Sequence, residues 1–111
     1  MAHWTDIGAL DAIPRQGARL LKTAAGCVAV FRTSDDRVFA LDDKCPHKNG
    51  PLSQGIVHGG LVTCPLHNWV IDLETGRATG ADVGATRTFP ARVERGRLLV
   101  DLDALSLRKA G

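Results

Sequence analysis

The sequence predicts an all-β fold on two observations. Short strand-like runs are joined by tight turn signals, and twelve glycines accompany only five aromatic residues among 111. Ala18-Arg19-Leu20-Leu21-Lys22-Thr23 opens the series, followed by Cys27 to Thr33 and Arg37-Val38-Phe39-Ala40-Leu41. Ser34-Asp35-Asp36 joins the last two as a hairpin, because small polar side chains cap tight turns. Glu74-Thr75-Gly76-Arg77 is a turn closing Trp69-Val70-Ile71-Asp72-Leu73. Ala91-Arg92-Val93-Glu94 alternates apolar and polar, as a half-buried strand should, and Arg95-Gly96 turns it into Arg97 to Leu102. Asp11 to Pro14 and Asp103 to Lys109 are each expected to hold a helical turn.

Length and composition bound the function. A chain of 111 residues is expected to form one domain, 1–111, able to hide roughly two thirds of its unfolded surface. With 44% hydrophobic and 23% charged residues it is no disordered chain, and nothing approaches the ~18 apolar residues of a membrane span. Fourteen Lys and Arg against twelve Asp and Glu leave +2, too balanced for an electrostatic nucleic-acid binder. The start, Met1 to Asp6, has neither the basic nor the apolar region of a signal peptide, so a cytoplasmic location is expected.

Three cysteines, an odd number, argue against a disulfide framework. Cys27 sits in a small apolar run and reads as a buried hydrophobe. Cys45 and Cys64 each have a histidine close behind them: Cys45-Pro46-His47 and Cys64-Pro65-Leu66-His67. They lie in Lys44 to Asn68, where three prolines and four glycines break the strand rhythm and predict a loop-rich insertion, part of a subdomain at about 43–80. A stretch that long without much regular structure is seldom idle in a compact domain.

Two thiolates and two imidazoles on proline-stiffened loops can converge on one site. Three readings compete. One is a two-iron, two-sulfide cluster with Cys45 and Cys64 on one iron and His47 and His67 on the other. Another is a structural Cys₂His₂ zinc site, although zinc modules usually pair like ligand with like, as C-x₂₋₄-C and H-x₃₋₅-H. The last is two buried cysteines and two surface histidines without a metal. The alternation of one cysteine and one histidine per loop favours the cluster, since each iron then takes one ligand from each loop.

Cys45-Pro46-His47-Lys48-Asn49-Gly50-Pro51-Leu52 and Cys64-Pro65-Leu66-His67-Asn68-Trp69 resemble the two cluster-binding boxes of the Rieske [2Fe–2S] family. The resemblance runs from about Trp4 to Leu102. It implies stacked antiparallel sheets with an inserted cluster-binding subdomain, and a one-electron carrier. Within the family, Pro51 to Val57 and Cys64 to Gly76 are most similar to the small subunits of assimilatory NAD(P)H-dependent nitrite reductases. That likeness implies a large sirohaem and flavin subunit as partner, which would hold the nitrite site. The alternative is a free-standing ferredoxin serving an aromatic-ring oxygenase; such ferredoxins usually have glycine where Asn68 stands and a less bulky residue at Trp69. Zinc in a structural module is the reading from another class.

The resemblance also bears on the potential. Neutral imidazoles in place of two thiolates raise it, to a family range of about −150 to +300 mV. The cysteine bridge of high-potential members is missing, with Gly50 and Leu66 at the corresponding places, so the lower end is expected. Imidazoles bound to ferric iron are acidified, so His47 and His67 are expected to couple protons to redox state. Lys44 and Lys48 flank the first box; solvated surface lysines are the plainer reading, steering of an acidic partner the alternative. His58 is expected on a solvated turn, His3 as a bystander, Asp42 and Asp43 at a solvated loop edge, and Trp69 in packing.

Overall fold

The apolar run at the centre of the first hairpin organises the molecule. In the computed structural model, which describes residues 4–23, 26–44, 51–65, 68–79 and 84–101, that run is the strand β3 (Gly26–Arg32). Alternate side chains of a strand point to opposite faces, and on β3 both faces are covered. Ala29 and Phe31 enter one buried cluster, Val28 and Val30 the other. A strand buried on both sides has no reason to alternate with polar residues, hence Cys27-Val28-Ala29-Val30-Phe31.

Among the described residues, ten strands form three antiparallel sheets. The middle sheet runs β2 (Gly17–Thr23), β3, β4 (Val38–Asp42), β8 (Thr88–Phe89). One flanking sheet is β1 (Trp4–Ala9), β10 (Arg97–Asp101), β9 (Ala91–Glu94). The other is β5 (Ile56–His58), β6 (Leu61–Thr63), β7 (Val70–Asp72). Val28, Val30, Ala40, Phe89, Leu98 and Val100 fill the space towards the β1–β10–β9 sheet. Phe31, Leu41, Leu52, Val62, Ile71 and Leu73 fill the space towards the β5–β6–β7 sheet, and Cys64 lies among them. Burial of each such side chain contributes about 1.5–3 kcal/mol. The all-β class and the stacking of antiparallel sheets are as the sequence predicts.

The hairpins β3–β4 and β9–β10 fall where expected, with Phe31 opposite Phe39 and Leu98 opposite Val93. The helical turn near Asp11 is a single 3₁₀ turn at Leu10–Ala12; the one expected over Asp103 to Lys109 lies outside the described residues. Two elements go beyond what the sequence suggests. Within Lys44 to Asn68, a 3₁₀ turn at Leu52–Gln54 and the hairpin β5–β6 stand among the described residues. These strands have three residues each, with one fully inward residue apiece, Val57 and Val62, too few to mark a period. The strand β1 is also unanticipated, because a register shift between Asp6 and Gly8 interrupts its alternation.

The β3–β4 turn carries an ionic knot. The Asp36 carboxylate accepts from Arg15 Nε at 3.1 Å and from Arg32 Nε at 3.0 Å, and Arg32 is almost wholly buried. The Arg15 hydrogen bond first, and Arg32 after it, hold the Asp36 carboxyl below the usual carboxylate range. A depressed folded-state value means that this contribution to stability is fully present above about pH 4 and is lost as pH falls through the folded value. Asp36→Asn keeps the left-handed backbone of this position (φ 65°), which asparagine tolerates. Its melting temperature is expected to lie below that of the parent at pH 7 and to converge with it towards pH 2. A deficit that stays constant over that range would contradict the ionic origin.

Candidate metal centre

Cys64 follows β6 directly and is fully buried against the inner cluster. Its backbone amide donates to the Trp69 carbonyl at 2.7 Å, just before β7 begins. Asn68 has φ 58°, a left-handed conformation open to asparagine and glycine but strained for most other residues. Both asparagine and glycine meet this demand of the backbone. Trp69 packs on the inner cluster beside Cys64, as expected of it. Of the predicted ligands, Cys64 is placed by the structure; Cys45, His47 and His67 lie outside the described residues, as does Lys48. Among the described residues no three His, Cys, Asp or Glu side chains gather as a metal site.

The approaches to both boxes are placed, and they meet. β4 ends at Asp42, and the next two residues lead to Cys45. Asp42 and Asp43 are not the solvated edge the sequence suggested. Asp42 is nearly buried and accepts from Arg87 Nε at 2.5 Å, while its amide donates to the Arg87 carbonyl at 2.9 Å. Asp43 accepts from the Ser53 amide at 2.7 Å and from Ser53 Oγ at 3.1 Å. Neither partner was discernible, because Arg87 is 45 residues from Asp42 and Ser53 ten from Asp43. Lys44 is exposed at the mouth of the first box. His58 is also corrected: it lies within β5, half-buried, 2.7 Å from Thr63 Oγ1 on the neighbouring strand. Cys27 is half-buried on β3 opposite Lys22, and its carbonyl accepts from the Asp43 amide at 3.0 Å, close to the approach to the first box.

The donor chemistry fits a sulfur-ligated cluster. A fully buried cysteine belongs to an apolar cluster, its amide fixed to the Trp69 carbonyl. The other box springs from a strand end tied to the same unit through Ser53. Soft thiolate in such a dry, rigid setting suits iron–sulfur ligation and spares the sulfur from solvent.

Residues 3–101 match the model of the Rieske-like [2Fe–2S] domain, and the chain belongs to that family. Its cofactor is a Rieske-type [2Fe–2S] cluster. Among curated proteins, the anthranilate 1,2-dioxygenase ferredoxin subunit of Burkholderia cepacia is 34% identical over 103 residues, 92% of this chain and 94% of that one. The ferredoxin component of the naphthalene 1,2-dioxygenase system of Pseudomonas aeruginosa is 34% identical over 100 residues, 89% of this chain and 95% of that one. Among solved structures, a protein of Mycobacterium tuberculosis described as an NADH-dependent nitrite reductase small subunit superposes with a TM-score of 0.80 at 27% identity, covering 90% of this chain and 95% of that one. The chain is thus a Rieske electron-transfer domain. No helix among the described residues is long and apolar enough to cross a membrane.

Proposed function

We propose that this chain is a ferredoxin that delivers single electrons to an aromatic-ring oxygenase, with Cys45 and Cys64 ligating one iron and His47 and His67 the other. The observation that carries the reading is end-to-end similarity: the dioxygenase ferredoxin components named above match over nearly their whole length as well as that of this chain. The nitrite reductase reading keeps the motif likeness over Pro51 to Val57 and Cys64 to Gly76 and a structural likeness at 27% identity, but the curated relatives named above are dioxygenase ferredoxins. When bound, the cluster accepts and releases one electron at a time. The chain contributes the rest: a buried thiolate at Cys64 and an exposed Lys44 next to the first box in sequence.

The test is reoxidation of the dithionite-reduced protein, followed by absorbance, with two acceptors. One is the terminal component of a ring-hydroxylating dioxygenase with its substrate, the other a sirohaem nitrite reductase large subunit with nitrite. Fast reoxidation by the first, with hydroxylated product, supports the ferredoxin. Reoxidation by the second alone would replace it with the nitrite reductase subunit. The midpoint potential is expected in the lower part of the range of about −150 to +300 mV, since no cysteine occupies Gly50 or Leu66 to bridge the loops. A potentiometric titration returning a value well above zero would contradict that.

A further inference from the structure

The short segment Pro51 to Gly55 ends the first box and follows it in sequence, and it touches Asp43, which leads into that box, and the strand that leads into the second. Its 3₁₀ turn is closed by Gln54 N to Pro51 O at 3.0 Å and Gly55 N to Leu52 O at 2.9 Å. Leu52 anchors it, wholly buried between Phe31, Leu41 and the β5–β6–β7 sheet. On one side the Asp43 carboxylate grips Ser53 through both its amide and its hydroxyl. The Asp43 amide is itself fixed to the Cys27 carbonyl of β3 at 3.0 Å. On the other side Gly55 lies flat against β6. A Cβ there would fall inside the Thr63 carbonyl oxygen and 2.9 Å from Val62 Cγ2, and Thr63 immediately precedes Cys64. Gly55 has an ordinary φ of −78°, so glycine is required by this close approach and not by the backbone angle.

We propose that Asp43 and Gly55 are positioning residues that set the separation of the two ligand loops through the Leu52–Gln54 turn. This rests on the ligand assignment above. Asp43 is two residues before Cys45, and its bonds to Ser53 tie the residue that leads into the first box to the Leu52–Gln54 turn that follows it. Gly55 holds the same turn against the strand that delivers Cys64. A cluster that takes one cysteine and one histidine from each loop is retained only while the loops keep their spacing. Partners that orient ligands are commonly worth 10- to 100-fold in metal retention. The Asp43 carboxylate and its bonds to Ser53 lie outside the apolar core that Leu52 enters, so the grip acts on cluster lifetime more than on the sheets.

The test compares cluster loss from the holoprotein in Asp43→Ala and Asp43→Asn. Asparagine keeps one carbonyl oxygen to accept from the Ser53 amide; alanine keeps none. Bleaching of the visible absorption by a ferrous chelator, well below the melting temperature, is expected to be about tenfold faster in Asp43→Ala and near the parent rate in Asp43→Asn. Val100→Ala, in the opposite cluster, serves as a variant of lowered stability that leaves the turn intact. Parent-rate bleaching in Asp43→Ala overturns the proposal. Equal acceleration in Val100→Ala at a matched melting temperature also overturns it, by reducing Asp43 to a general structural role. The ligand assignment fails separately: Cys64→Ser retaining full iron and sulfide would refute that reading whatever Asp43 does.

Discussion

Cys64→Ser is expected to empty the protein of its cluster. Iron and acid-labile sulfide should fall from about two of each per chain towards zero, with loss of the visible bands. The reason is chemical as well as positional. A serine hydroxyl is neither deprotonated nor soft enough to replace a thiolate. It would also place a harder, more polar atom in an apolar cluster beside Val62 and Ile71. Cys27→Ser is the matched control, on β3 and half-buried, and should keep iron and sulfide unchanged. Iron analysis of the two variants beside the parent checks both halves. Equal loss in both would mean that any cysteine change unfolds the domain, and full retention in Cys64→Ser would remove it from the ligand set.

The largest effect on the fold itself is expected at Gly76. The turn after β7 brings this residue to φ 74° and buries it, with its amide donating to the Asp72 carbonyl at 2.7 Å and its carbonyl accepting from Thr86 at 2.8 Å. A Cβ would collide with the Thr86 carbonyl oxygen and stand 3.0 Å from Thr88 Cγ2, on the segment that leads into β8. Gly76→Ala is therefore charged twice, once for the left-handed backbone and once for displacing a packed strand. The expected loss is about 3 kcal/mol. Gly96→Ala separates the two costs, because Gly96 has φ 75° but open space where the methyl would go. Its loss should be about 1 kcal/mol, the backbone part alone. Urea unfolding of both variants measures the difference, and equal losses would show that the Thr86 contact contributes nothing.

Legibility in the sequence followed the range of the interactions. The hairpins β3–β4 and β9–β10 were readable because Ser34-Asp35-Asp36 and Arg95-Gly96 punctuate runs long enough to show a pattern. The continuous apolar stretch on β3 was readable as a strand, but its burial on both faces follows only from the two flanking sheets. Strands β5 and β6 hid among glycines and prolines, and β1 hid behind a bulge. At the metal centre the boxes were legible because thiols and imidazoles stand together along the chain. Asp42, Asp43 and Gly55 were not, since each acts on a residue brought near only by folding: Arg87, Ser53 and Thr63. His58 likewise reads as a loop histidine until β5 and β6 pair and set it on Thr63.

The most direct test of the account is metal and sulfide analysis of anaerobically prepared protein, with pulsed electron paramagnetic resonance of the dithionite-reduced form. The account predicts about two irons and two sulfides per chain, with hyperfine couplings from two imidazole nitrogens. Zinc without sulfide would contradict it, and would leave Cys64 and its neighbours as the frame of a structural metal site.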